Sequence, residues 1–323
     1  MSIEKLINPV RNKFLNGVKK NFDLTPFTTF RIGGQAEFFM IVKNREELIK
    51  AVRWAKAGKL PVAILAGGSN ILITRKKIKG LVLKISGDDY IIKKNYITCW
   101  AGTGLTKLSK ICASAGLTGL EWAFGIPGTL GGAVRGNAGA YGSDMSAAVA
   151  EVEAYDLNKN QLVKLNHQAG GFSYRGSVFK KRKNLLIVQV KLKLAKGVRK
   201  EIEALSRKNF NHRFSSKPKE PSAGSVFKNL EYKKVLKQNK KLAEDLAAEG
   251  MVRGGKIAVG YLIDQLGLKG KTAGGAKVSD QHANFIVNIG KAQAKDVVKL
   301  INLIKIKIKQ KYKINLEEEI QYF

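Results

Sequence analysis

The sequence predicts a globular protein of mixed helices and strands in more than one domain, on three observations. Its residues are 44% hydrophobic, with 33 Gly and only 6 Pro, a composition that supports a packed core and excludes collagen-like, proline-rich and disordered chains. The 323 residues correspond to two or three domains at about 100–200 residues each. Short β-type runs alternate with segments of helical periodicity, and glycine-dense stretches interrupt them.

In chain order, Thr28–Val42 reads as a turn between extended segments. Leu48, Val52 and Ala55 fall at helical spacing within Glu46–Lys56, and Gly58 stops that helix. Pro61–Leu65, Ile71–Ile73 and Leu81–Ile85 are apolar strands, the first two joined by a tight loop. A second stretch opens with strands at Tyr90–Ile92 and Tyr96–Trp100 and a helix at Leu105–Ala115, then runs through glycine-dense Gly116–Gly142 to strands at Glu151–Tyr155 and Leu185–Leu194. A third begins in a basic run: Lys180–Lys219 holds 14 Lys/Arg against 2 Asp/Glu. It contains helices at Lys200–Phe210, Glu244–Met251 and Ala258–Leu266, and a strand at Ala283–Val287. Val297, Leu300, Ile301, Ile304 and Ile308 form a helical stripe, although IKIKIK also fits strand alternation. Asn315–Phe323 reads as a terminal strand. The domain boundaries drawn from this are 1–86, 87–197, 198–310 and 311–323.

The net charge of +33 directs attention to anionic partners: nucleic acid, a membrane surface or phosphorylated small molecules. Of 58 basic residues 46 are Lys, and nucleic-acid readers rely on the bidentate fork of Arg. No apolar run reaches the roughly 20 residues of a membrane span, and the N-terminus mixes charges without an apolar core, unlike a signal peptide. Cys99 and Cys112 make no disulfide framework, and no His/Cys cluster has metal-ligand spacing. These features place the chain in the cytoplasm.

Five segments have residue types suited to chemistry. Leu65–Asn70 (LAGGSN) follows a strand. Its glycines admit close backbone approach and an anion nest, or make an ordinary turn. It is neither a Walker loop nor a Rossmann fingerprint. Gly125–Ala133 (GIPGTLGGA) and Gly136–Gly142 (GNAGAYG) concentrate glycine beyond what a packed core needs, as a loop against a large flat ligand would. Two phosphate-compatible loops point to a dinucleotide held without a Rossmann motif. Arg175, after Tyr174, either lies on the surface or offers a fork to a carboxylate. Ser225, after Gly224, is a turn serine or a proton donor. No GxSxG motif accompanies it, and His167, His212 and His282 stand in no triad pattern, which demotes a hydrolase. Finally, Glu317–Glu319 are a solvated run or carry one carboxylate into a site. On a strand Glu317 and Glu319 would share a face.

Nine segments together, in order from about Leu24 onward, resemble the UDP-N-acetylenolpyruvoylglucosamine reductase family: Thr29–Gly34, Pro61–Asn70, Gly125–Ala133, Asn137–Gly142, Tyr174–Phe179, Pro221–Asn229, Leu262–Gly270, Val278–Asn288 and Leu316–Ile320. The compact third stretch is similar to the shorter of that family's two architectures. The resemblance implies a two-subdomain FAD-binding unit of the vanillyl-alcohol-oxidase/PCMH type plus a smaller α+β substrate-binding domain, with the C-terminal strand returning to the active site.

It also implies a cytoplasmic, monomeric NADPH-dependent flavoenzyme of peptidoglycan precursor synthesis, and through it of cell shape and division. A hydride would pass from NADPH to FAD N5. It would then pass to C3 of UDP-N-acetylglucosamine enolpyruvate in the same cleft, giving UDP-N-acetylmuramate. FAD would be lined by Gly67, Gly68, Ser69, Asn70, Gly125, Ile126, Pro127, Gly128, Thr129, Gly132, Asn137, Gly139 and Tyr141. Arg175 matches the enolate-stabilising arginine, Ser225 the donor of a proton to C2, and Glu319, before Ile320, the acidic partner. Tyr174, Arg213, Lys217, Lys228, Asn229 and His282 would hold substrate, with Asn284 a further cleft residue. No metal is implied. Leu230 and Ala66 depart from the family's usual proline and glycine, and neither removes a reacting group. The alternatives are a flavin oxidase or dehydrogenase of the same fold, and a flavin-free basic nucleic-acid-binding protein. On the leading reading the basic run around Arg213 and Lys217 would steer polyanionic ligands.

Overall fold

The computed structural model describes residues 17–323, and the chain divides into two compact units. One comprises residues 17–23, Gln35–Gly67 and Lys76–Arg213; the other comprises Leu24–Gly34, Gly68–Arg75 and Phe214–Phe323.

The first unit contains two sheets. β1 (Lys19–Asp23), β2 (Gln35–Val42), β3 (Val62–Leu65) and β4 (Lys77–Ile85) form a sheet of order β1-β2-β4-β3. β2 and β3 flank β4 in parallel, which explains their nearly unbroken apolar sequences. Helix α1 (Arg45–Ala57) links β2 to β3. Asn44 accepts from the Glu47 N–H, and Glu47 in turn accepts from the Lys43 N–H at 2.8 Å. It buries Leu48, Ala51, Val52 and Ala55 in a core with Phe38, Met40, Leu81 and Leu83, each large side chain contributing about 1.5–3 kcal/mol.

The second sheet is antiparallel. Its strands are β5 (Tyr90–Lys93), β6 (Tyr96–Trp100), β7 (Val149–Asp156), β8 (Gln161–Asn166) and β9 (Leu185–Lys193), in the order β8-β7-β9-β6-β5. Helix α2 (Leu105–Ser114) packs Leu105, Leu108 and Cys112 into the core that holds Ile97 and Cys99. Burial pushes both thiols up to about 12, so they behave as small apolar side chains. Helix α3 (Leu130–Gly136) corrects the expectation of a loop over Gly125–Ala133. Thr129 caps it by accepting from the Gly132 N–H at 3.4 Å, and its first turn places Gly131 where Ala101 leaves no room for a side chain. Helix α4 (Arg199–Ser216) closes this unit through Arg213.

The second unit is built on β10 (Ser222–Ser225), a helix pair α5 (Tyr232–Gln238) and α6 (Lys240–Ala248), α7 (Val259–Asp264), β11 (Thr272–Ala273), β12 (Ala276–Val278), β13 (Phe285–Asn288) and α8 (Ala294–Tyr312). The sheet order is β10-β13-β12-β11. α8 opens with a capping box between Gln293 and Asp296 and buries the predicted stripe, extended to Tyr312. The alternation of IKIKIK loses to that stripe: Ile304 and Ile308 are buried, while Ile306 is left exposed. The terminal segment differs from the expected strand. Only Gln321–Tyr322 is a strand, parallel to Ile71–Leu72, and Glu318 forms a single antiparallel bridge with Phe227.

Candidate active site

Within the first unit, the glycine segments lie backbone against backbone. A Cβ on Gly67 would stand 2.4 Å from Gly128 Cα, and one on Gly131 2.9 Å from Ala101 Cβ. Packing does therefore require some of the glycine that the sequence reading reserved for a ligand. Gly125 and Gly128 have φ of +78° and +131°, open to glycine without strain. Ile126 donates its N–H to Ala123 at 3.0 Å, so Ile126–Pro127–Gly128 is a fixed entry to α3.

Asn137, at φ +42°, ends α3 in the left-handed region and is buried. Its amide donates to Asp144 and to the Ser173 carbonyl and accepts from the Ser146 N–H. It holds the 137–146 hairpin against the Tyr174–Arg175 turn. Gly139 sits in that hairpin, where a Cβ would meet Ser143 O at 2.4 Å. Its carbonyl accepts from Arg175 Nη2 at 2.9 Å. Arg175 itself has φ +56° in a two-residue turn closed by paired Ser173–Gly176 backbone bonds. Its guanidinium lies 5.1 Å from the Tyr174 ring centre, and Lys180 donates to its carbonyl.

Tyr141 donates to the Asn209 carbonyl at 3.0 Å and meets His212 edge to face; Arg213 lies 5.9 Å from its ring centre. Burial, with the like charge of Arg175 adding to it, lowers the pKa of Arg213, and its Nε is buried without a hydrogen-bond partner. Burial likewise lowers Lys84 and Arg135. None of Lys84, Arg135 and Arg213 has a carboxylate partner among the described residues. Desolvated cations without a counter-charge are costly, and a polyanionic ligand supplies that charge. Glycine-lined backbone and uncompensated cations in one unit fit a dinucleotide such as FAD.

The second unit gathers the rest of the predicted chemistry. A Cβ on Gly68 (φ +64°) would lie 2.0 Å from the Phe27 carbonyl. The Gly68 carbonyl accepts from the Thr29 N–H at 3.1 Å, while the Thr29 hydroxyl donates to the Ser222 carbonyl at 2.7 Å. Thr29 therefore ties the Gly68–Asn70 loop, which includes Ser69, to the strand that ends in Ser225. Asn70 Nδ2 donates to the Glu319 carbonyl at 3.2 Å, and the Glu319 N–H donates to the Val226 carbonyl at 2.8 Å. Loop, serine strand and acidic terminus are joined residue to residue.

Ser225 pairs with Phe285 across β10 and β13 beside a register shift at Gly224, φ +79°. Lys217 lies 4.8 Å from the Phe285 ring centre, and the His282 ring is also 4.8 Å from it. Burial, and then the Lys217 charge, push His282 down to about 4. Its Nδ1 accepts from the Asn284 N–H at 3.2 Å, so the neutral ring carries its proton on Nε2. Glu317 pairs with Lys228 at 2.8 Å, Glu318 pairs with Lys305, and Asn229 accepts from the Val259 N–H at 3.4 Å.

Two contributors, Thr29 and Lys84, escaped sequence reasoning, and a third was placed in the wrong role. Asn284, expected in a cleft, is instead buried, its amide accepting from the Phe227 N–H at 3.0 Å and donating to the Phe227 carbonyl at 2.9 Å. It clamps the strand that follows Ser225. Thr29 lay in a quoted motif, TFRIGG, without a role. Lys84, which donates to the Ala66 carbonyl, had no sequence signal beyond a polar residue in an apolar strand. Among the described residues no group of His, Cys, Asp and Glu is gathered as a metal site.

The chain is similar over nearly its whole length to known proteins. Residues 216–323 match the model of the UDP-N-acetylenolpyruvoylglucosamine reductase C-terminal domain, and residues 36–166 that of an FAD binding domain. The chain is 37% identical over 322 residues to UDP-N-acetylenolpyruvoylglucosamine reductase of Anoxybacillus flavithermus, covering 99% of this chain and 98% of the relative. It is 37% identical over 303 residues to the Prochlorococcus marinus protein of that name, covering 92% and 91%. The crystal structure of UDP-N-acetylenolpyruvylglucosamine reductase from Thermus caldophilus is similar with a TM-score of 0.73 at 31% identity, over 95% of this chain and 98% of that one.

Proposed function

The chain belongs to the UDP-N-acetylenolpyruvoylglucosamine reductase family of oxidoreductases, and on that premise we propose that it reduces the enolpyruvyl group of UDP-N-acetylglucosamine enolpyruvate with NADPH, giving UDP-N-acetylmuramate and NADP⁺. FAD, held by the glycine segments, would supply the hydride chemistry that links NADPH to the vinyl C3. The chain's own residues hold the polyanions, stabilise charge and deliver the proton.

As C3 accepts hydride, negative charge builds on the C2–carboxylate side as an enolate. Preorganised donors lower that barrier more than flexible ones do. The tight turn, positive φ and Nη2 anchor of Arg175 support its assignment as the enolate stabiliser. Ser225 gives its hydroxyl proton to C2. A hydroxyl is a weak acid, but an enolate carbon is basic enough to take its proton. Glu319 is the acidic partner, and its backbone bond to Val226, next to Ser225, supports that role. Arg213, Lys217 and Tyr174 bind substrate. Lys228 and Asn229 contribute on the loop after Ser225, and neutral His282 offers its Nε2–H as a donor.

The observation that carries this reading is the joining, in one unit, of the Gly68–Asn70 loop, the Ser225 strand and Glu319 by Thr29, Asn70 and Val226. We place the reaction in the cytoplasm, carried out by a monomer; no described helix is long and apolar enough to cross a membrane. Incubating the purified protein with NADPH and the enolpyruvyl sugar nucleotide should consume the two in equal amounts and yield a product heavier by two hydrogens. NADPH oxidation without that product contradicts the substrate assignment.

A further inference from the structure

Lys84 is the next-to-last residue of β4, the strand flanked in parallel by β2 and β3. Its register partner on β3 is Leu65, the residue before Ala66 and Gly67. It therefore stands where parallel strands end and β3 passes into the first glycine loop. In open sheets of this kind, ligands gather beyond the carboxyl ends of parallel strands. The ammonium donates to the Ala66 carbonyl and is half-buried. It has no other hydrogen bond and no carboxylate partner among the described residues, so two of its three N–H groups are uncommitted.

We infer that Lys84 is a positioning residue for the dinucleotide, fixing the Ala66 carbonyl so that the loop presents its N–H groups, and supplying counter-charge to the ligand's phosphates. The inference rests on the FAD reading. It gives a physical reason for a desolvated cation beneath a loop that has no charged side chain of its own between Leu65 and Asn70.

The test uses the full-length protein stripped of flavin and titrated with FAD, following quenching of flavin fluorescence. Lys84→Met keeps the length of the side chain and removes the charge. It should weaken FAD binding by about tenfold or more and flatten its salt dependence, while the melting temperature of the apoprotein does not fall, because an uncompensated charge has been removed. Lys84→Arg keeps the charge and should bind FAD within about threefold of wild type. Wild-type affinity in Lys84→Met overturns the inference. So does equal loss in both variants, or a loss of FAD matched by a lower apoprotein melting temperature. A wild-type apoprotein that fails to bind FAD would instead overturn the flavin reading, a separate outcome.

Discussion

Replacing Asn284 by Ala tests how the Ser225 strand is held. Asn284 and Phe227 are 3% and 1% exposed. The amide meets both backbone groups of Phe227, accepting at 3.0 Å and donating at 2.9 Å. Alanine removes both partners and leaves a backbone N–H and a carbonyl orphaned in the core. At about 1–3 kcal/mol for each of the two unsatisfied groups, the expected loss is about 2–6 kcal/mol. With about 1.5 °C per kcal/mol for a chain of this length, the melting temperature should drop by about 3–9 °C. Differential scanning calorimetry of the apoprotein reads this directly. At temperatures where the variant stays folded, reoxidation of reduced flavin by substrate should also slow, because the strand carrying Ser225 has lost its clamp. A melting shift below about 2 °C would refute the reasoning, since it would mean that water or a rearranged loop satisfies Phe227 as well as the amide does.

Further outcomes follow from the same geometry. Ser225→Ala should leave reduction of FAD by NADPH nearly unchanged and slow the substrate half-reaction by about 10²–10⁴-fold; equal loss in both halves, by stopped-flow absorbance, contradicts the proton-donor role. Gly131→Ala forces a Cβ to 2.9 Å from Ala101 Cβ and should cost about 1–3 kcal/mol, read as a lower urea midpoint; an unchanged midpoint means the segments separate freely. His282 is held at about 4 in the folded protein against an ordinary value of 6.5. The unfolded state therefore takes up its proton first, and stability should fall as pH drops from about 6.5 to about 4. His282→Gln should remove that part of the slope, and an identical slope in both proteins would show that the ring is not desolvated.

Regular elements were legible wherever one face is buried. The stripe from Val297 to Ile308 and the run from Tyr96 to Trp100 each carry their period in local sequence. β8 was missed because Gln161–Asn166 is an edge strand with no fully buried residue. Helix α3 was hidden because glycine is disfavoured in helices, and only packing against Ala101 shows why Gly131 is there. The candidate site was legible as motifs but not as contacts. Nothing local to Asn284 announces a clamp on Phe227, 57 residues away. Likewise, nothing near Thr29 foretells a bond to Ser222. The high charge carried least information: most of it is Lys, and among the described Lys and Arg residues burial is the largest cause of a lowered pKa at Lys84, Arg135 and Arg213.

The most direct test of the central claim is anaerobic. FAD-loaded protein is reduced with one equivalent of NADPH, freed of NADP⁺, and mixed with UDP-N-acetylglucosamine enolpyruvate while flavin absorbance is followed. Prompt return of the oxidised spectrum with stoichiometric UDP-N-acetylmuramate is the predicted result. Flavin that stays reduced in the presence of saturating substrate, yet reoxidises when air is admitted, would contradict it and point to an oxidase on the same fold.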